Sequence, residues 1–404
     1  MLGATLASIF TVVGTEEDVI FIIGHSVVVN CLQDVRLCPI FLIEQSMEKF
    51  DSITHFLQSG SFNYRVFDMG RKVTAITNDD FHKIEDQQDV YPFPFQQKVW
   101  LALLFWKNNA EDDAVIWFLQ FPIDELGFLK QESRDHFLID LLEQAGKNIQ
   151  AKQVGDATLD ELGESPFAFK PPPDRLAMFH ALAGKALKRE PSQYYQHVRE
   201  YLQGKLGYDQ WQFLGLQGIA DVAARLEEKG SDSDKESNAV LLQKAFSQMP
   251  EEPLLNFSYA LENVIPQGGL TVSLFARLNQ ELELGASGNV AIVAALIRAL
   301  SASQPETARK EFLSNVLSTL FASEIEVLAA ISGRAWKDLA SLDLLSAFVG
   351  RLADQDQAAF NAILADLMMI PGMREPVLAI MRSPERTDAL GEKLTGFMSV
   401  LRGG

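Results

Sequence analysis

Phe169-Lys170-Pro171-Pro172-Pro173-Asp174 separates two textures of sequence. Before it, aromatic and β-branched runs alternate with tight turns. After it, short amphipathic segments follow one another to the C-terminus. Three successive prolines neither continue a helix nor pair in a central strand, so the stretch marks a boundary. The resulting expectation is an α+β fold. A small antiparallel-sheet N-terminal domain is followed by a mainly α-helical C-terminal domain, an irregular HEAT-like α-solenoid or bundle. The boundaries read as a leader over 1–46, an α+β domain over 47–146, a linker over 147–174 and an all-helical domain over 175–404.

Downstream, periodicity predicts helices near 175–188, 191–204, 209–228, 237–247, 252–265, 270–282, 288–302, 305–321, 324–332, 341–353, 355–369, 373–382 and 384–401. Start signals such as Pro191-Ser192, Pro305-Glu306 and Asp354 recur, as do stops such as Gly204, Gly230, Gly268-Gly269 and Pro371-Gly372. The run 290–300 is apolar nearly all round, with Arg298 its single charge. Such helices need neighbours on both sides, which stacked helical hairpins provide.

Upstream, 62–67 and 72–77 alternate as a hairpin about Asp68-Met69-Gly70-Arg71, with Gly70 expected at positive φ. Asn78-Asp79-Asp80 caps a short helix. Two apolar strands, 99–106 and 114–121, flank the polar loop 108–113, and a helix covers 131–144. The linker carries at most one short helix near 159–162. Trp100, Trp106 and Trp117 lie on the two strands. Continuous apolar strands point to burial on both faces, and a peptide-binding face is the alternative.

The first 46 residues hold both cysteines, Cys31 and Cys38, and one basic residue, Arg36. Met47, followed by Phe50, Ile53, Phe56 and Leu57 at helical spacing, reads as a fresh start, so the leader is expected to be a translated upstream region, with a short regulatory or membrane-associating leader as the alternative. Gly24-His25-Ser26 has Val28 where a nucleophile elbow needs glycine, and nothing around it reads as βαβ.

The formal net charge of −19 repels phosphate backbones and anionic membranes, and the basic residues are scattered along the sequence. The expectation is no nucleic-acid and no membrane partner. Two cysteines provide neither a disulfide framework nor a zinc site, which fits a cytoplasmic location with no cofactor and no metal. Asp124-Glu125 reads as a solvated turn, and His136 as part of a helix face. Tyr194, His197 and Arg199 form the densest polar-aromatic patch of the helical half. His180 and His197 lack a third ligand. The methionines at 368, 369, 373 and 381 read as core fillers.

Tyr64-Arg65-Val66-Phe67-Asp68-Met69-Gly70-Arg71-Lys72-Val73, Tyr91-Pro92-Phe93-Pro94-Phe95-Gln96, Trp100-Leu101-Ala102-Leu103-Leu104-Phe105-Trp106 and Ile116-Trp117-Phe118-Leu119 resemble a gammaproteobacterial family catalogued as a domain of unknown function, number 3549. The resemblance covers most of the chain from Met47. It implies a bacterial, cytoplasmic protein and no particular activity. The leading functional expectation is a scaffold for an unidentified protein partner, presenting Trp100, Trp106, Trp117, Tyr194, His197 and Arg199. The alternative is an enzyme with its site between the α+β head and the helices, near Tyr194, His197 and Arg199.

Overall fold

The computed structural model describes residues 19–23, 26–30, 50–107, 114–151, 165–230, 235–384 and 386–403. Met47, both cysteines, the loop 108–113 and the helix expected near 159–162 lie outside them. β1 (Val19–Ile23) and β2 (Ser26–Asn30) pair antiparallel, with Ile23 opposite Ser26. Ser26 therefore opens a strand, whereas a nucleophile elbow opens a helix.

α1 (Ile53–Ser59) is capped by Ser52, whose hydroxyl accepts from the His55 amide at 2.9 Å. Phe50, Ile53, Phe56 and Leu57 are all buried, as their spacing requires. An antiparallel sheet follows, with spatial order β4-β3-β5-β6. It is built from β3 (Phe62–Asp68), β4 (Thr74–Ile76), β5 (Lys98–Lys107) and β6 (Val115–Pro122). Asp68 pairs with Thr74, which leaves residues 69–73 as the connecting loop. β5 buries every residue from 101 to 106, so its unbroken apolar run reflects two covered faces. α2 (Asn78–Glu85) is capped one residue earlier than expected, by Thr77, whose hydroxyl accepts from the Asp80 amide at 3.1 Å. α3 (Gln131–Ala151) buries Phe137, Leu138 and Leu141.

Each helix expected in the C-terminal half has its counterpart. One set is α4 (Pro173–Ala186), α6 (Leu216–Ala224), α8 (Glu251–Leu261), α10 (Val290–Leu300), α12 (Ile325–Arg334), α14 (Gln357–Met369) and α16 (Asp388–Gly403). Each member packs on the next, so the seven form one row. The intervening helices are α5 (Tyr195–Leu202), α7 (Asn238–Ala245), α9 (Gly268–Glu283), α11 (Glu306–Ser318), α13 (Leu342–Leu352) and α15 (Arg374–Arg382). These form a second row: α5, α7 and α9 pack in succession, as do α11, α13 and α15. The rings of Phe275 on α9 and Phe312 on α11, 5.5 Å apart, bridge the two groups. Packing between alternate helices leaves each helix covered by neighbours on more than one side. The triple proline does not precede the first helix but enters it: Pro173 takes the first helical position, where the missing N–H has no partner to lose. The expected helix 209–228 is instead a 3-10 turn at Trp211–Phe213 followed by α6.

The chain packs as two compact units. One comprises the described residues within Met1–Tyr64, Leu104–Val115 and Gln131–Phe167. The other comprises Arg65–Leu103, Ile116–Lys130 and Ala168–Gly404. The second unit thus holds the β3–β4 loop together with the helical rows.

Candidate functional site

The β3–β4 loop is the polar centre of the second unit. Asp68, at the end of β3, is fully buried. Its Oδ1 accepts from the Gly70 amide at 3.1 Å and from the Tyr91 hydroxyl at 2.5 Å. Its Oδ2 accepts from the amides of Arg71 and Lys72 at 3.2 and 3.3 Å. Burial pushes the Asp68 carboxyl up to about 6, and the hydrogen bonds from Tyr91 and the loop amides only partly counter it. Burial, then the neighbouring Asp68 charge, lifts the Tyr91 phenol well above its ordinary value. With its oxygens engaged, Asp68 clasps the loop and has no lone pair directed at solvent.

Gly70 does not take positive φ. A Cβ there would lie 3.1 Å from Trp100 Cδ1, 3.2 Å from Phe95 Cβ and 3.3 Å from Asp68 Oδ1. The glycine is needed for close approach rather than for backbone freedom. Arg71 is also fully buried. Its Nε donates to the Pro94 carbonyl at 2.7 Å and its Nη2 to Asp366 Oδ2 on α14 at 2.7 Å. Its guanidinium carbon sits 5.8 Å from the Phe95 ring and 5.4 Å from the Trp336 ring. Three runs that carry the family resemblance, 64–73, 91–96 and 100–106, thus meet at this loop.

The rest of the loop is held by the first row of helices. Arg175 on α4 donates through Nη1 to the carbonyls of Met69 and Gly70. The Val73 amide donates to Asn263 Oδ1 at 2.7 Å. Asn263 in turn donates to the carbonyls of Tyr259 and Ala260 at the end of α8. Lys72 Nζ donates to Ser301 Oγ, just past α10, at 2.7 Å and lies 5.7 Å from the Trp336 ring, just past α12. Burial, in the company of Arg334, Lys337 and Arg309, lowers the Lys72 amine to about 7 against the pull of Glu262.

Glu262, immediately after α8, anchors a second cluster. Its Oε2 accepts from Arg298 Nε at 2.6 Å. Arg334 Nε is 2.9 Å from the same oxygen, an ion-pair contact without hydrogen-bond alignment. Burial pushes Glu262 up, but Arg334, Arg298 and Arg175 outweigh it and hold the carboxyl below its ordinary value. Burial lowers Arg298 as well, yet Glu262 more than compensates and leaves it raised. Arg334 is lowered to about 10 by burial and by Arg298 and Arg175, which Glu262 does not fully offset. Cations at 72, 175, 298 and 334, scattered in sequence, converge here on one buried carboxylate.

The residues expected to form an interaction surface separate. Trp106 and Trp117 are buried, and Trp100 is half-buried, donating from Nε1 to the Phe95 carbonyl at 2.9 Å and packing edge-on against Phe169. Arg199 is not a surface residue. It is fully buried, its Nη1 donating to Asn238 on α7 and its Nη2 to the Glu236 carbonyl at 2.9 Å. His197 is half-buried, and Tyr194 is 48% exposed. The Tyr194 ring lies against Gly215, and nearby in sequence Phe213 is 70% and Leu216 38% exposed. Asp124 closes its turn by accepting from the amides of Leu126 and Phe128, both at 2.9 Å. His136 sits on an exposed face, 3.7 Å from Asp140. Met373 is buried, whereas Met381 lines a groove of about 510 Å³ with Leu378, Leu394 and Met398. Among the described residues no three His, Cys, Asp or Glu side chains gather as metal ligands.

Residues 48–398 match the family described as Protein of unknown function (DUF3549), and the chain belongs to that family. No curated protein and no solved structure matches it.

Proposed function

We propose that this member of the family is a bacterial, cytoplasmic scaffold whose helical repeat engages a protein partner. The observation that carries the reading is the exposure of Tyr194, whose ring lies against Gly215, and of Phe213 and Leu216, which flank that glycine in sequence where α5 and α6 pack. Exposed aromatic patches of this kind are costly in water unless a partner covers them. Solenoids present such patches on extended surfaces. Among the described residues no helix is long and apolar enough to cross a membrane, which is consistent with the proposed location.

The enzyme alternative has less behind it. Arg199 is committed to Asn238 and Glu236. Asp221, a buried carboxylate of the same region, accepts from Arg225 at 2.8 Å and from the Ser192 amide at 2.9 Å.

The test is affinity purification of the tagged full chain from the source bacterium, in parallel with a Phe213→Asp variant, read by mass spectrometry. A stoichiometric protein partner recovered with the wild type and lost with the variant supports the scaffold. Recovery of the chain alone, or an identical set with both, counts against it.

A further inference from the structure

The first row of helices forms a partly open pocket of about 130 Å³ lined by Tyr259 on α8, Ala294 and Arg298 on α10, and Glu326, Ala329, Ala330 and Arg334 on α12. Three alanines open the space, and two guanidinium groups line it. Both direct Nε at Glu262, yet the outer nitrogens are left largely without acceptors. Arg334 makes one hydrogen bond from Nη1, to the Gly333 carbonyl at 3.1 Å, and Arg298 makes none from either Nη. The Arg334 side chain is 7% exposed and that of Arg298 is 28% exposed, so the free Nη groups face the pocket and its solvent. Arg298 also stacks over the Tyr259 ring at 4.6 Å, which fixes the plane of its fork.

One carboxylate contacts both arginines. Arg175 and Lys72 add positive charge nearby, and Asp174 and Glu326 add negative charge from further off. Paired guanidinium forks with free N–H groups match the oxygens of a carboxylate or a phosphate. The volume corresponds to roughly four waters at about 30 Å³ each, which suits a small oxyanion and not a nucleotide.

We propose that this cavity binds a small oxyanion, a phosphate or carboxylate group, between Arg298 and Arg334. Glu326, exposed at the rim, makes no ion pair with either arginine and opposes the ligand's charge. It thereby restricts the site to anions that reach both forks. The proposal is independent of the scaffold reading.

Isothermal titration of the full chain with inorganic phosphate and, separately, with acetate, at ionic strength matched with chloride, tests it. Saturable binding of phosphate assigns a phosphate ligand, and saturable binding of acetate alone assigns a carboxylate. Ala329→Leu projects a larger side chain into the cavity from an exposed position and is expected to weaken either ligand at least about tenfold. Glu326→Gln removes a like charge from the rim and is expected to tighten binding roughly three- to tenfold. Because both positions are exposed, neither variant threatens the fold. No saturable binding of either anion, or binding unchanged in both variants, overturns the proposal.

Discussion

Arg71 Nη2 lies 2.7 Å from Asp366 Oδ2, a buried ion pair that ties the β3–β4 loop to α14 across 295 positions of sequence. The arginine has no exposed side-chain surface, and the aspartate is 22% exposed. Removing the carboxylate strands a cation between Phe95 and Trp336. Asp366→Ala is expected to destabilise the protein by about 3 kcal/mol, within the range for uncompensated buried charges. Urea unfolding of Asp366→Ala, Arg71→Ala and the double variant forms the cycle. Additive losses would show that the pair is not coupled.

Asp68 makes stability depend on pH in an unusual direction. Its carboxyl titrates near 3.8 when unfolded and at about 6 in the folded protein. Below the lower value it is protonated in both states and carries no penalty. Between the two values the unfolded chain gives up its proton first, so stability falls as pH rises. Above about 6 the penalty is complete, roughly 3 kcal/mol for a shift of this size. Asp68→Asn is expected to abolish this falling component. The measurement is the difference in unfolding free energy between the two proteins from pH 4 to 7. A constant difference would refute the assignment.

Most of the architecture was open to reading because its causes are local. The apolar face of 290–300 and the caps and breakers around it depend on neighbours within one turn, so the helices fall where periodicity places them. Proline misleads by a few residues, since Pro173 is as suited to begin a helix as to prevent one. Gly70 misleads in kind: the ring of Trp100 excludes a side chain there, and that contact depends on a strand thirty positions away. The Glu262 cluster was closed to sequence reading for the same reason, because its members come from α4, α8, α10 and α12. One signal was present. Arg298 is the lone charge of a helix apolar nearly all round, and a charge that neighbours partly cover requires a partner elsewhere in the fold.

The turn between Phe95 and Lys98 stores backbone strain. Gln96 and Gln97 have φ of 52° and 58°, and the flanking residues exchange both hydrogen bonds at 3.1 Å. This is the two-residue turn that favours Asn-Gly. The Gln96 amide donates to Asp366 Oδ1 at 3.2 Å, which helps hold the unfavourable pair in place. Gln97→Gly is expected to stabilise the protein by about 0.5–1 kcal/mol, the relief of the left-handed conformation exceeding the added freedom of the unfolded chain. Thermal unfolding reports it as a raised Tm, and a lowered Tm would rule the strain out.

Glu262 is expected to be far more sensitive than the surface acids. Glu306 pairs with Lys310 in solvent, so Glu306→Ala is expected to have little measurable effect on unfolding. Glu262→Gln instead leaves Arg298 and Arg334 facing a neutral amide in a region already crowded by Arg175, and a loss of about 3–5 kcal/mol is expected. The damage comes from unpaired cations rather than from a lost contact. Removing one of them should therefore restore part of the stability: Arg334→Met, destabilising by itself, is expected to stabilise the Glu262→Gln background. Urea unfolding of the two single variants and the double variant measures this. If Arg334→Met destabilises both backgrounds equally, the two side chains act independently and the charge argument fails.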